Sequence, residues 1–397
     1  MIKVKFIMGP AECNDAYIPT YSKQFLEKLS EELGEKLVCG EMDEVVNEEL
    51  PIYFIASGGA EEEFKNIHPQ TKSPYILLTH PAYNSLAAAM EIMGYLHENN
   101  KEGEIIHGSF KAIADRIRLL LAVARGKKKL FGMRLGCFGE PGGLIASTVD
   151  FDAIKLKSGI EMVMLDLNEV VTEFNKKIYP TNEYTEQLLK KNFKKDEIEK
   201  ALYVYGALKR LIVKYNLQGI TLRCFDLMEL IHTTGCLALA ILNAEGISAA
   251  CEGDQKALLT MAIIQTLTDK SCFMANPSYM NPETSEIIFA HCTLPIDMPN
   301  NYELMTHFES GIGIAVTSDM IPQIMTIFKV DSTLKNYYVG KAQLVETMHK
   351  MDLCRTQMRL TIENGTDYFA YSPISNHHII CKGNHIDVID EYFKQIL

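Results

Sequence analysis

The chain has 397 residues, 47% hydrophobic and 23% charged, a globular composition and more chain than one hydrophobic core organises, so two or three domains are expected. Its formal net charge is -12, and the only basic cluster is Arg125-Gly126-Lys127-Lys128-Lys129, which argues against nucleic acid as the main partner. The ten cysteines form no CxxC pair, and no run approaches the roughly 20 apolar residues of a membrane helix, so buried thiols in a soluble, cytoplasmic protein are expected.

In chain order, Val4 to Met8 predicts a strand entering the loop Gly9-Pro10-Ala11, and Phe25, Leu26, Leu29 and Leu33 set a helical period over Tyr21 to Leu37. Strands follow at Ile52 to Ile55, Tyr75 to Leu78 and Ile105-Ile106, ending in Ser57-Gly58-Gly59, Thr79-His80-Pro81 and His107-Gly108-Ser109. Helices are predicted over Ser85 to Tyr95 and Phe110 to Ala124. Strands alternating with helices predict a parallel, doubly wound sheet.

The basic stretch Arg125 to Lys129 marks a boundary, and a second alternating unit begins with a strand at Leu130 to Leu135. The loop Gly136 to Gly143 is glycine-rich but fits neither nucleotide-binding motif. Further strands at Ile160 to Leu167, Ile220 to Cys224 and Ile247 to Ala250 alternate with helices at Glu183 to Tyr215, His232 to Leu242 and Gln255 to Thr268. Past Lys270 come short β-prone runs at Ile287 to Ala290, Ile312 to Thr317, Ile324 to Val330, Arg359 to Ile362, Tyr368 to Tyr371 and His378 to Cys381, then a closing helix from Val388 to Ile396. The expected architecture is α/β: residues 1-128 and 129-270 as two doubly wound parallel-sheet domains, and 271-397 as a β-rich C-terminal domain.

Chemistry concentrates where the run Ile247 to Ala250 meets Glu252-Gly253-Asp254 and the helix after it. Ligands gather beyond the carboxyl ends of strands in open α/β sheets, so two carboxylates at such a corner suit a metal or a polar substrate. His291, at the end of a later run, would complete a set for a hard divalent cation. The plainer alternative is that Asp254 caps the helix and Glu252 answers its dipole. Ser375-Asn376-His377-His378 precedes a late strand, and adjacent histidines on a strand point to opposite faces, so at most one of the two faces a given site.

Ala250 to Asp254, Phe273-Met274-Ala275-Asn276 with Tyr279, Ala290 to Pro295 and Asn376-His377-His378 resemble the L-fucose/L-arabinose isomerase family. Thr221 to Phe225, Gly235-Cys236, Asn243 to Gly246, Leu135 to Ser147 and His107-Gly108 resemble its other segments. The resemblance implies a metal-dependent aldose–ketose isomerase acting through an enediol, activated by Mn²⁺ or another divalent cation, taking a small-molecule sugar and assembling as a homo-oligomer, a hexamer or trimer. It implies Glu252 as ligand and base, His291 and His378 as further ligands, Asn276 as a carbonyl donor to metal or sugar, and His377 and His107 beside the sugar. Ala275 stands where the family carries its second acidic ligand; Asp254 would compensate if its side chain turned inward. That departure keeps two rivals open: a catalytically silent sugar-binding paralogue and a different metal-assisted sugar enzyme. With no Trp in the chain, sugar stacking falls to Tyr and Phe.

Overall fold

A computed structural model describes residues 1–10 and 17–396, so Ala11 of the first predicted loop and Cys13 lie outside the described residues. The chain forms two compact units, Met1–Lys128 and Lys129–Leu397. Among the described residues, no helix is long and apolar enough to cross a membrane.

In the first unit the elements run β1 (Ile2–Ile7), α1 (Tyr17–Leu33), β2 (Leu37–Cys39), α2 (Met42–Val45), β3 (Ile52–Ile55), α3 (Glu61–Ile67), β4 (Tyr75–Leu78), α4 (Ser85–Glu98), β5 (Gly103–Ile106) and α5 (Phe110–Leu130). The strands form a parallel sheet of order β2-β1-β3-β4-β5. β3 and β4 are buried at every position, as apolar runs without alternation demand when both faces of a sheet are covered. Phe25, Leu29, Ile113 and Ile117 pack with Val4 and Phe54 on one face, and Phe64, Ala88 and Ile92 pack with Tyr53 and Ile55 on the other. The basic stretch is not a linker. It is the last turns of α5, within which the two units divide, and Arg125 pairs there with Glu35 and Glu49, both at 3.0 Å.

The second unit opens with β6 (Arg134–Phe138), α6 (Phe151–Ser158), β7 (Glu161–Leu165), α7 (Leu167–Phe174), α8 (Glu183–Leu188), α9 (Lys195–Tyr215), β8 (Gly219–Leu222), α10 (Cys224–Ile231), α11 (Cys236–Ala244), β9 (Ser248–Cys251) and α12 (Gln255–Thr268). Its parallel sheet has the order β7-β6-β8-β9, so the loops after β6, β8 and β9 leave the same end. The first strand lies at Arg134–Phe138 because Leu130 still belongs to α5. The helix expected from His232 starts at Cys236; His232 itself ends α10 in a left-handed conformation.

The remainder holds β10 (Cys272–Asn281), β11 (Glu286–His291), β12 (Glu303–Met305), β13 (Ala315–Thr317), β14 (Ile324–Val330), β15 (Tyr337–Met348), β16 (Thr356–Ile362), α13 (Asp367–Tyr371), β17 (His378–Lys382) and α14 (Ile386–Lys394). Six of these strands close an antiparallel barrel, β10-β11-β16-β15-β14-β17, which leaves it no free edge. Tyr368 to Tyr371, expected as a strand, is helical in α13. β10 and β15 escaped the sequence pattern: β10 carries Pro277, which lacks an N–H, and its register slips between Pro277 and Tyr279; β15 places Gly340, Lys341 and Glu346 along its length. α12 is almost wholly buried, its polar residues Gln255, Lys256, Thr260 and Gln265 included, because sheet strands β8 and β9 lie against it as well as barrel strands β10, β14 and β17. Its first turn therefore joins the carboxyl end of the sheet to the barrel.

Candidate metal centre

The corner after β9 is built by two successive left-handed residues, Glu252 at φ +62° and Gly253 at φ +69°. A side chain at 253 would be strained, and its Cβ would come within 2.8 Å of the Glu140 carbonyl oxygen in the loop after β6. Glu252 has no such freedom. A non-glycine residue in this region costs about 1–2 kcal/mol, a strain characteristic of functional turns. The turn is held from both sides: Gly253 N donates to Leu222 O at 3.0 Å, and Gln255 N and Lys256 N both donate to Ser147 O at 3.1 Å. The glycine-rich loop thus packs over the corner.

Glu252 Oε1 is 3.4 Å from His291 Nε2 and 3.5 Å from His377 Nε2. Ligand atoms of these three residues all lie within 4.8 Å of one another, the one group of this kind among the described residues. Both imidazoles are buried and are oriented through their other nitrogen: His291 Nδ1 meets Thr293 Oγ1 at 3.1 Å, and His377 Nδ1 meets Asp254 Oδ2 at 2.9 Å. A carboxylate beyond a histidine fixes its tautomer and leaves the opposite nitrogen free to ligate. His377 Nε2 is indeed a buried atom without a hydrogen-bond partner.

These donors fit a divalent cation. Bonds of about 2.0–2.2 Å at tetrahedral to octahedral angles hold neighbouring donor atoms about 3.0–3.5 Å apart, and one carboxylate with two imidazoles leaves positions open for a substrate. Burial alone would raise the Glu252 carboxyl, but His291 and His377 beside it hold it well below the usual range. Burial likewise opposes charge on His377, yet Asp254 and Glu252 outweigh it and push the imidazole up.

Asp254 does not turn inward to replace the missing acid. Its side chain caps α12 by accepting from Ala257 N at 2.7 Å, and its Oδ2 also accepts from Ser147 Oγ at 3.1 Å. It has no exposed surface, and both of its oxygens are engaged. Lys329, also fully buried, brings Nζ to 3.9 Å from Asp254 Oδ2. Burial pushes the Asp254 carboxyl up, but Lys329 and His377 together hold it below its ordinary value.

Of the two late histidines, His377 and not His378, the one expected as a ligand, faces Glu252. His378 starts β17 opposite Ala275, and its ring turns away from Glu252: Nδ1 meets Asn376 O at 2.9 Å and Nε2 meets Tyr368 Oη at 3.0 Å, among Phe289, Tyr338 and Phe369. Burial, with Lys329 nearby, depresses it to about 3, so it is neutral. Asn276 Oδ1 accepts at 3.1 Å from Nδ2 of Asn376, which is next to His377 in the chain. Ala275 is buried and supplies no acid. His107 lies in the first unit at the end of β5, where Nδ1 meets Thr79 Oγ1 at 2.8 Å. Sequence patterns did not single out Ser147, Thr293 or Lys329; a lysine inside a mostly apolar strand, Ile324–Val330, was the available signal for the last.

No family model matches the chain. Among curated proteins it is similar to a sulfoquinovose isomerase of Alkalicoccus urumqiensis, 23% identical over 219 residues, which cover 53% of this chain and 49% of that protein. The chain thus spans about half the length of the curated relative it matches, and that relative is by name a sugar isomerase.

Proposed function

We propose that the protein is a metal-dependent aldose–ketose isomerase of the fucose/arabinose isomerase kind, acting on a free or sulfonated sugar with Mn²⁺ or a similar cation. The observation that carries this reading is the convergence of Glu252, His291 and His377 on one point, with Asp254 behind His377. Support in kind comes from the similarity to a sulfoquinovose isomerase.

Glu252, His291 and His377 would hold the cation, which when bound supplies Lewis acidity toward the carbonyl and hydroxyl oxygens at C1 and C2 of an open-chain sugar. The residues do the rest. Glu252 Oε1 faces both histidines, and Oε2 is the atom we assign to the proton that leaves one carbon and returns to its neighbour through an enediol. Asp254 keeps the His377 Nδ1 proton in place, so that His377 presents Nε2 and does not rotate. Thr293 performs the same service for His291.

The test is metal content after purification, followed by exchange of the C2 proton of candidate sugars in deuterated water. Mn²⁺ that raises the melting temperature, with C2 exchange lost in Glu252→Gln, supports the reading. A protein that neither binds nor is stabilised by Mn²⁺ refutes it, because a ligand selective for the native state must raise apparent stability. The absence of an acid at Ala275 favours one second reading, a sugar-binding protein without turnover, which sugar binding without any turnover would select, whereas metal retention without C2 exchange would favour a different metal-assisted sugar enzyme.

A further inference from the structure

Behind the corner that carries Glu252 lies a row of thiols on which the proposed chemistry makes no demand. Cys251, the last residue of β9, donates its thiol to Cys224 Sγ at 2.9 Å and has Cys236 at its other side. Cys236 in turn packs with Cys292 and Cys354. Cys224 and Cys251 are 9% and 2% exposed, and neither is in a disulfide.

The pair sits on rigid supports. β8 and β9 are parallel neighbours with Leu222 opposite Cys251, and Cys224 opens α10 two residues beyond Leu222. Both sulfurs therefore come from element ends fixed by the sheet. A disulfide has its sulfurs about 2.05 Å apart, so bond formation asks the two to approach by about 0.9 Å, within reach of side-chain rotation.

We propose that Cys224 and Cys251 form an oxidisable dithiol site that a peroxide converts to a disulfide. Cys224, the more exposed of the two, attacks one peroxide oxygen; the O–O bond breaks, water leaves and Cys224 becomes a sulfenic acid. The Cys251 sulfur then attacks that sulfur and expels a second water. Two thiols are oxidised by one electron each, hydrogen peroxide is reduced to two waters, and the thiol protons leave in them. The bond would tie the start of α10 to the residue immediately before Glu252. It stands whether or not the corner binds a metal.

The experiment uses the full chain, reduced, then treated with a small excess of hydrogen peroxide, unfolded in the presence of an alkylating agent, digested and analysed by mass spectrometry. The expected result is the loss of two alkylatable thiols per chain and a linked peptide pair containing Cys224 and Cys251, released by dithiothreitol and absent in Cys224→Ser. Alkylation of both Cys224 and Cys251 after peroxide overturns the proposal. So does a link confined to Cys292 and Cys354, or oxidation of Cys224 to a sulfinic acid without any link. Because the wild-type peptide map decides alone, a variant that fails to fold does not rescue the idea.

Discussion

Each unit buries a histidine beside the end of a strand, His80 after β4 of a parallel sheet and His377 just before β17 of the barrel, and the two are chemically unlike. His80, after β4, is packed among the rings of Tyr21, Phe25, Phe54 and Tyr83, and its Nδ1 accepts from Ala82 N at 3.2 Å. Burial pushes it down, and among the described residues no ion pair reaches it. His377 is as buried, but carboxylates stand at both ring nitrogens and push it up. A buried imidazole by itself is core; Glu252 on one side and Asp254 on the other hold this one in a single orientation, the feature on which the proposed ligand role rests.

The largest effect should come from removing the charge at the centre of that difference. Glu252→Gln or His377→Gln is expected to abolish stabilisation by Mn²⁺, which for the wild type at a hundredfold excess over Kd amounts to about 2.7 kcal/mol, read as a melting-temperature shift. Asp254→Asn keeps the shape while weakening the grip on His377, and should lower metal affinity by roughly 10–100-fold by calorimetry. His378→Gln separates the two neighbours: stability should fall by about 1–3 kcal/mol through the lost Tyr368 contact, with metal affinity unchanged. If His378→Gln instead removes metal binding, the placement of the ligand set is wrong.

A subtler contrast concerns Lys329. Burial drives it from the ordinary 10.5 down to about 8, against the pull of Asp254. Between those two values the unfolded chain holds more protons than the folded one, so this group adds stability as pH rises from 8 to 10.5. The melting temperature of the wild type relative to Lys329→Met should climb across that window; a flat difference would mean that the buried lysine keeps its proton as firmly as in the unfolded chain, and would contradict the downward shift. Smallest of all, His80→Gln should leave the response to Mn²⁺ unaltered while costing some stability.

How much of this was legible depended on range. The corner Ile247 to Asp254 was visible because a β-prone run, two carboxylates and an apolar helix follow one another within the chain, and Asp254 as N-cap followed from the same local pattern. β15 was not, since a strand whose partners are β14 and β16 needs no unbroken apolar run of its own. The choice between His377 and His378 was equally hidden: it turns on where β17 begins and on Tyr368 being within reach of one ring and Asp254 of the other.

By itself, then, the order of residues determined two runs of alternating strands and helices, a β-rich end, and which residue types could bind a cation, because propensity, periodicity and capping act over a few neighbours. Closure of the barrel against α12 decided the rest. Positions 252, 291 and 377 meet only through contacts far apart along the chain, and the orientation of each ring is set by a partner no local pattern reveals.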